Sequence, residues 1–152
     1  MTLLLALDPG KTTGASWWHY DEKMPIKLLK YEQIKGGLDG FINELIGKPE
    51  NAYNLIVCES FKLDGRTPNP DVTPLQIEGV LSYCSKFYGT PLVYQANNMK
   101  VHATDEFMKA HGFWFKGAPH ATDSARHAIA YMKRIKHRPT LEYYFTQLSL
   151  DV

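Results

Sequence analysis

Runs and alternations of apolar residues along the chain predict a small α/β fold that begins with an antiparallel meander. Thr2 to Asp8 is a nearly continuous apolar run that stops at Pro9-Gly10, which is typical of a short buried strand. Further strands are predicted over residues 14–20 and 27–34, with a turn at residues 21–23 between them. Asp8 therefore lies at the carboxyl end of the first strand.

The remainder of the chain alternates helical and strand patterns. Apolar residues at helical spacing predict a short helix over residues 38–46, which would stop at Gly47, and a strand follows over residues 54–61. After a proline-rich loop over residues 62–74, the pattern predicts a helix over 75–88, a strand over 92–94, a short helix over 105–111 with Thr104 as N-cap, and a longer helix from Pro119 to about Lys136. This order indicates a mixed five-stranded sheet flanked by helices.

Length and composition favour one compact domain over residues 1–152. The chain is 44% hydrophobic and 22% charged, which is enough for a proper core. The apolar runs are far shorter than the roughly 20 residues of a membrane span, and the N-terminus lacks the basic region of a signal peptide, so we expect a soluble cytoplasmic protein. Cys58 and Cys84 have no metal-site spacing and should be reduced thiols.

Charge is unevenly distributed although the formal net charge is only +1. Between Met99 and Arg138 there are eight Lys or Arg residues against three acidic ones, and five of the six histidines. This half of the chain could contact phosphates. The cluster from Lys133 to Arg138 could equally complement the dipole at the end of a helix.

Carboxylates occur where the apolar pattern does not predict them. Asp8 and Glu59 each end an apolar strand, and burial of an unpaired carboxylate is unfavourable. Asp123 lies near the start of the last long helix, where spacings of three and four place His120 and His127 on the same side. If these carboxylates converge, they would repel one another unless a divalent cation such as Mg²⁺ or Mn²⁺ neutralised them.

A pair of such ions about 4 Å apart could activate water, bind a scissile phosphate and stabilise the leaving oxygen. Each residue also has an ordinary interpretation. Asp8 could shape the turn before Pro9-Gly10, Glu59 could form a salt bridge at a strand end, and Asp123 could interact with a helix dipole.

Three motifs carry a resemblance to a known family. Asp8-Pro9-Gly10 followed by Thr13-Gly14 resembles the opening motif of RuvC-type Holliday junction resolvases, and the segment 58–61 (Cys-Glu-Ser-Phe) resembles their second acidic strand. The segment 120–128 (His-Ala-Thr-Asp-Ser-Ala-Arg-His-Ala) is similar to their final helix motif, especially in the short phage-encoded branch. The motifs occur in the family order and span nearly the whole chain.

The resemblance implies an RNase H-like fold, a homodimer, and paired Mg²⁺-dependent nicking of four-way DNA junctions in recombination and repair, with two ions per active site. Asp8, Glu59 and Asp123 would be the acidic ligands, and His120 would be the fourth site residue, as a ligand or as a proton-transfer group. The chain is one residue shorter than the common bacterial pattern between Asp8 and the Thr-Gly pair. Phe61 could be a wedge that stacks on bases at the branch point, or a core residue.

Basic residues near the motifs could neutralise phosphates and make DNA binding dependent on salt. These residues are Lys11, Lys62, Arg66, Lys100, Lys116 and Arg126. No base-reading pattern is present, so recognition of DNA shape and flexibility is expected. The helix over 75–88, with Leu75, Gly79, Leu81 and Tyr83, is a candidate dimer interface or an ordinary core helix.

Other functions remain open at this point. A P-loop is excluded because Leu5 stands where the first glycine of GxxxxGK[ST] is required. An actin-like or sugar-kinase nucleotide-binding domain has a turn similar to the one after Asp8, but the chain is too short for both domains of that fold. A protein of the same fold that acts on RNA, or that binds nucleic acid without cleaving it, is the other alternative.

Overall fold

A computed structural model describes residues 1–46, 48 and 53–145. Five strands form one sheet: β1 (Thr2–Asp8), β2 (Thr12–Tyr20), β3 (Lys27–Lys35), β4 (Leu55–Glu59) and β5 (Leu92–Gln95). Their spatial order is β3-β2-β1-β4-β5. The first three strands are antiparallel, and β4 and β5 continue the sheet in parallel with β1. The predicted mixed five-stranded sheet is thereby confirmed.

Helices cover both faces of the sheet. They are α1 (Gly37–Phe41), α2 (Thr73–Tyr88), α3 (Asp105–Ala110), α4 (Pro119–Arg134) and α5 (Arg138–Tyr144). A π-helical segment, Ile42–Ile46, directly follows α1, and a 3₁₀ segment, Asn97–His102, follows β5. Thr104 caps α3 as predicted, because its side chain accepts a hydrogen bond from the Phe107 backbone N–H.

The alternation of side chains along β1 divides the core into two layers. Leu4 and Ala6 pack against α3, α4 and α5, whereas Leu5 and Leu7 pack against α1 and α2. Since Asp8 has the same parity as Leu4 and Ala6, its side chain belongs to the face that α4 covers. This face is called the α4 face below.

Several boundaries and elements differ from the sequence prediction. The helix predicted over residues 38–46 is α-helical only to Phe41 and then widens into the π-helical segment, and its predicted stop at Gly47 lies outside the described residues. The long helix α4 ends at Arg134, and Lys136 has a φ of 55°, which breaks the helical path. The 3₁₀ segment and α5 were not predicted.

Leu81 of the candidate dimer helix is fully buried and packs in the layer between α2 and the sheet. It is therefore a core residue, because it faces the sheet one turn after the equally buried Ile77. Across the part of the chain that the structure describes, no helix is both long enough and apolar enough to cross a membrane.

Candidate metal centre

Each of the three parallel strands ends on the α4 face with a polar side chain. Asp8 ends β1, Glu59 ends β4 and Gln95 ends β5, and the register aligns Leu7 with Cys58 and Glu59 with Gln95. Because the carboxyl ends of parallel strands meet at one edge of a sheet, these three side chains form a row. The same alternation that builds the core thus ends in a polar layer.

The start of α4 lies directly over this row, and Gly14 makes that approach possible. Gly14 is paired with Asp8 in the register, and a Cβ atom at this position would lie 1.8 Å from the His120 carbonyl oxygen. Any larger residue would therefore push the first turn of α4 away from the sheet. Gly14 therefore allows the start of α4, with His120, to approach the end of β1, with Asp8.

The first turn of α4 is also held by a side chain from β3. Ala118 precedes the helix and provides no side-chain cap. Instead Gln33 Oε1 accepts hydrogen bonds from the backbone N–H groups of His120, at 2.8 Å, and Ala121, at 3.4 Å. These are N–H groups that an N-cap side chain would otherwise satisfy. Gln33 therefore fixes the helix that carries His120 and Asp123.

Asp8 and Glu59 form a close buried pair with side chains only 12% and 15% exposed. Burial, a hydrogen bond with Glu59 and repulsion from that carboxylate raise the pKa of Asp8 to about 9. Burial also opposes ionisation of Glu59, but hydrogen bonds from His127 and Asp8 and the charge of Lys100 lower its pKa to about 2. In this arrangement the pair shares one proton at neutral pH.

The ammonium group of Lys100 lies between two of the carboxylates. Its Nζ is 3.1 Å from Glu59 Oε1 and 3.5 Å from Asp123 Oδ2. Burial disfavours the charge on Lys100, but the surrounding carboxylates outweigh this effect and raise its pKa. A positive charge thus already stands among the acidic residues.

Asp123 is held from its other side by Arg126, one turn along α4. Arg126 Nε lies 3.4 Å from Asp123 Oδ1, and the same guanidinium donates to the Ala103 carbonyl at 2.7 Å and to Asp105 at 2.5 Å. Only 12% of the Arg126 side chain is exposed. This arginine, for which a phosphate contact was predicted, has its donors engaged within the protein.

His120 lies at the rim of the centre. Its side chain is 49% exposed, and Nδ1 is 3.8 Å from Asp8 Oδ2. His127, one helical turn after Asp123, is fully buried, and its Nε2 lies 3.2 Å from Glu59 Oε1. Two histidines of the same motif therefore flank the carboxylate pair, one open to solvent and one enclosed.

The residues fit a divalent cation by their chemistry. Asp8, Glu59 and Asp123 offer hard oxygen donors. The buried Asp8–Glu59 pair keeps a proton because the single charge of Lys100 does not offset burial and the repulsion between the two carboxylates, which a divalent cation could do. Within the described ranges, however, no three His, Cys, Asp or Glu side chains already form a metal-binding cluster. Asp123 is directed to Lys100 and Arg126, so it would have to turn toward the pair to complete a ligand set.

A cleft of about 540 Å³ opens beside Glu59. Phe61 and Lys62 line it from the loop after β4, and Asn97 and Asn98 line it from the 3₁₀ segment. Phe61 is half-buried, and its backbone N–H donates to Glu78 Oε1 at 3.3 Å. The cleft thus connects Glu59 with the loop that was expected to contact DNA.

The other basic residues predicted to contact phosphate are exposed. Lys11 lies in the turn after β1, Lys62 and Arg66 lie in the loop between β4 and α2, and Lys116 precedes α4. Lys100, in contrast, is 23% exposed and lies inside the acidic cluster. The structure therefore brings together Asp8, Glu59, Asp123 and Lys100, and leaves the other four basic residues exposed.

Three polar residues of the centre had no assigned role in the sequence analysis: Gln33, Gln95 and His127. His127 carried a signal, since it shares a helix face with Asp123. Gln95 also carried one, because a polar residue ends the apolar strand β5 just as Asp8 and Glu59 end theirs. Gln33 carried none, because it contacts a helix start 87 residues away.

No protein-family model matches the sequence, and no curated protein matches it. Solved structures do match. Thermus thermophilus RuvC superposes with a TM-score of 0.63 at 16% identity, covering 89% of this chain and 97% of RuvC. The chain has the RuvC fold.

Two other structures with this RuvC fold are similar over comparable lengths. The fowlpox virus Holliday junction resolvase gives a TM-score of 0.58 at 12% identity and covers 88% of this chain and 99% of the viral one. The yeast mitochondrial Holliday junction resolvase Ydc2 gives 0.53 at 11% identity, covering 98% of this chain and 84% of Ydc2. The expected RNase H-like architecture is confirmed by these superpositions.

Proposed function

We propose that this chain is a single-domain, divalent-metal-dependent DNA endonuclease that nicks four-way (Holliday) junctions. The observation that carries this proposal is the convergence of Asp8, Glu59 and Asp123 at one sheet edge of a RuvC fold. Overall identity to the solved resolvases is 11–16%, so the motif residues and the fold carry the likeness rather than the sequence as a whole. RuvC itself has been solved with a Holliday junction substrate.

Asp8, Glu59 and Asp123 would hold the metal, with His120 as a fourth ligand or as a proton-transfer group at the rim. A pair of Mg²⁺ or Mn²⁺ ions, when bound, would supply the activation of water and the charge stabilisation that phosphodiester hydrolysis needs. The protein's own part is to position the donors: Gly14 and Gln33 place the start of α4, which carries His120 and Asp123. His120, with half of its side chain exposed, could donate a proton to a leaving oxygen or accept one from the attacking water.

The decisive experiment measures cleavage of a synthetic four-way junction by the wild type and by Asp8→Asn, Glu59→Gln and Asp123→Asn. We expect each variant to lose at least about 100-fold in Mg²⁺-dependent cleavage while it still binds the junction in Ca²⁺. Glu22→Gln, at an exposed turn far from the centre, is the matched control. Wild-type rates in the three site variants would exclude these carboxylates from the mechanism.

Substrate selectivity needs a panel of junctions, replication forks, flaps, linear duplex and RNA–DNA hybrid. Preference for the four-way junction supports the proposal, and equal cleavage of linear duplex contradicts structure selectivity. A preference for the RNA-containing substrate would favour the alternative of an RNA-directed enzyme of the same fold. Binding of ATP without any cleavage would favour the nucleotide-binding alternative.

DNA is proposed to contact the exposed basic residues around the cleft. Lys11, Lys62, Arg66 and Lys116 are exposed, and Phe61 and Lys62 line the cleft that reaches Glu59. Charge reversal of Lys62 and Arg66 should weaken junction binding and reduce its dependence on salt, because fewer counterions are released. Phe61→Ala tests the wedge: loss of cleavage with retained binding supports a role at the branch point.

A homodimer is proposed because paired nicking of a near-two-fold junction requires two centres. The exposed face of α2 offers a surface for it: Tyr83 and Phe87 are each 68% exposed and stack with ring centroids 5.9 Å apart. Gly79 lies one turn before Tyr83, and a Cβ atom there would meet nothing within 4 Å, so a second helix could approach closely. Tyr83→Glu should convert a dimer seen by light scattering into a monomer, and an unchanged mass would place the interface elsewhere.

A further inference from the structure

A buried chain of hydrogen bonds links the end of β5 to Glu59. His127 is fully buried and Gln95 is 2% exposed. Gln95 Nε2 lies 3.0 Å from the His127 carbonyl oxygen and 3.1 Å from His127 Nδ1, and His127 Nε2 lies 3.2 Å from Glu59 Oε1. Two polar side chains are thus enclosed in the core, and one of them, His127, contacts a carboxylate of the candidate metal centre.

The direction of each hydrogen bond follows from the carbonyl group. A backbone carbonyl oxygen can only accept, so the Gln95 atom beside it is the amide nitrogen. The same NH₂ group reaches His127 Nδ1, which must then accept with its lone pair. The ring hydrogen therefore lies on Nε2, and it is donated to Glu59 Oε1.

The Gln95 side chain uses its NH₂ group for hydrogen bonds with His127, and its amide oxygen is left without a partner. Gln95 Oε1 is buried and has no hydrogen-bond partner among the residues that the structure describes. A glutamine placed only to fill the core would be expected to satisfy both ends of its amide. This orientation satisfies the histidine instead.

We infer that Gln95 and His127 are positioning residues that fix the tautomer of the imidazole and thereby the orientation of the Glu59 carboxylate. The inference rests on the proposed function, since it assigns Glu59 to a metal. Ligands of metals are commonly oriented by a hydrogen bond from a neighbouring group. Here the donor is His127, and Gln95 determines which of its two ring nitrogens donates.

The tautomer can be measured in the metal-free protein by long-range ¹H–¹⁵N NMR of the imidazole nitrogens. The chain has six histidines, and the signal that disappears in His127→Gln assigns His127. We expect Nδ1 to show the shift of a non-protonated nitrogen and Nε2 that of a protonated one. In Gln95→Leu the single tautomer should be lost. A protonated Nδ1 in the wild type would overturn the inference.

Metal affinity tests the positioning role. By Mn²⁺ titration calorimetry, His127→Leu should bind about 10–100-fold more weakly than the wild type. His127→Gln can still offer an N–H to Glu59, so its Mn²⁺ affinity should stay within a few-fold of the wild-type value. His19→Leu, at the end of β2 remote from Gly14, should bind Mn²⁺ like the wild type. If His127→Leu does not fold, the Mn²⁺ affinities of His127→Gln and Gln95→Leu are compared instead. Weaker binding by Gln95→Leu than by His127→Gln supports the positioning role, and equal affinities overturn it.

The outcomes separate this inference from the proposed function. Normal Mn²⁺ binding and junction cleavage by a folded His127→Leu variant would overturn the positioning role and leave the nuclease proposal intact. No Mn²⁺ binding by the wild type would overturn both. Weak binding by Leu variants together with rescue by His127→Gln would support the positioning role, because a purely structural core residue would not be rescued by donor chemistry alone.

Discussion

The shared proton of Asp8 and Glu59 makes the stability of the metal-free protein depend on pH in a direction opposite to that of a carboxylate whose pKa is lowered by folding. Asp8 has a pKa of about 9 in the folded protein, against an ordinary value of 3.8. Between these values the folded state binds one proton that the unfolded state has lost. Stability is therefore highest at the acidic end of this window and falls as pH rises through it.

The size of the effect follows from linkage rather than from the value of the shift. One extra proton in the folded state gives a slope of about −1.36 kcal/mol per pH unit, so the unfolding free energy should fall by about 2.7 kcal/mol between about pH 6 and pH 8. Glu59 adds nothing in this range, because its folded pKa of about 2 and its ordinary value of 4.5 both lie below it. Its own contribution would be lost only as pH falls below about 4.

Asp8→Asn isolates this contribution. Asparagine has nearly the shape of a protonated aspartate, and its amide can donate to Glu59 as the shared proton does. We expect the metal-free variant to be more stable than the wild type at about pH 8 and to have a shallower decline with pH, by about 1 kcal/mol per unit. All other titrating groups are present in both proteins, so the difference between the two slopes reports on Asp8.

The assay is urea unfolding followed by circular dichroism in EDTA, at several pH values. Glu22→Gln, an exposed carboxylate replaced in the same way, should follow the wild-type curve. Addition of Mg²⁺ should stabilise the wild type, by about 2.7 kcal/mol at 100 times its Kd, and should have much less effect on Asp8→Asn. Parallel pH profiles for the wild type and Asp8→Asn would refute the shared proton, since they would mean that Asp8 is ionised in the metal-free fold.

Three further variants test how the centre is held. Gly14→Ala should destabilise the protein by about 1–3 kcal/mol and reduce cleavage, because its Cβ would lie 1.8 Å from the His120 carbonyl; wild-type urea unfolding would contradict this close approach. Gln33→Ala should lower the unfolding free energy by about 1 kcal/mol, because α4 loses its cap. Glu32→Ala, which changes the exposed neighbouring residue, should lower it by less. Equal losses in the two variants would argue against capping by Gln33. Lys100→Met should weaken the metal-free fold but increase Mn²⁺ affinity in calorimetry, because it removes a positive charge beside Glu59; weaker Mn²⁺ binding would show that the lysine supports the ion instead.

The sequence was sufficient for the sheet and for the carboxylates at its edge. Strand alternation is a local property, so Asp8 and Glu59 could be placed at strand ends from their neighbours alone. Because parallel strands end at the same edge, their convergence followed from the predicted topology. Asp123 needed the motif as well, since its position over the sheet depends on how α4 packs.

The contacts that complete the centre could not be predicted, because they join residues remote in sequence. Gln33 reaches α4 across 87 residues and His127 reaches Glu59 across 68. Lys100 looked like one of several surface cations, since its segment carries no periodic pattern. Only the 3₁₀ turn after β5 brings its ammonium group to Glu59 and Asp123.

The row of strand ends explains why the third polar residue is an amide and not another acid. A carboxylate at position 95 would add a third negative charge beside Glu59, and it would accept rather than donate at His127 Nδ1. The imidazole would then need a hydrogen on Nδ1, so residue 95 would no longer fix the ring hydrogen on Nε2, where it is donated to Glu59. Glutamine avoids both consequences, since it is neutral and its amide donates. The two acids at the ends of β1 and β4 are thereby supported by a neutral anchor on β5, and the negative charge stays concentrated where a divalent ion would bind.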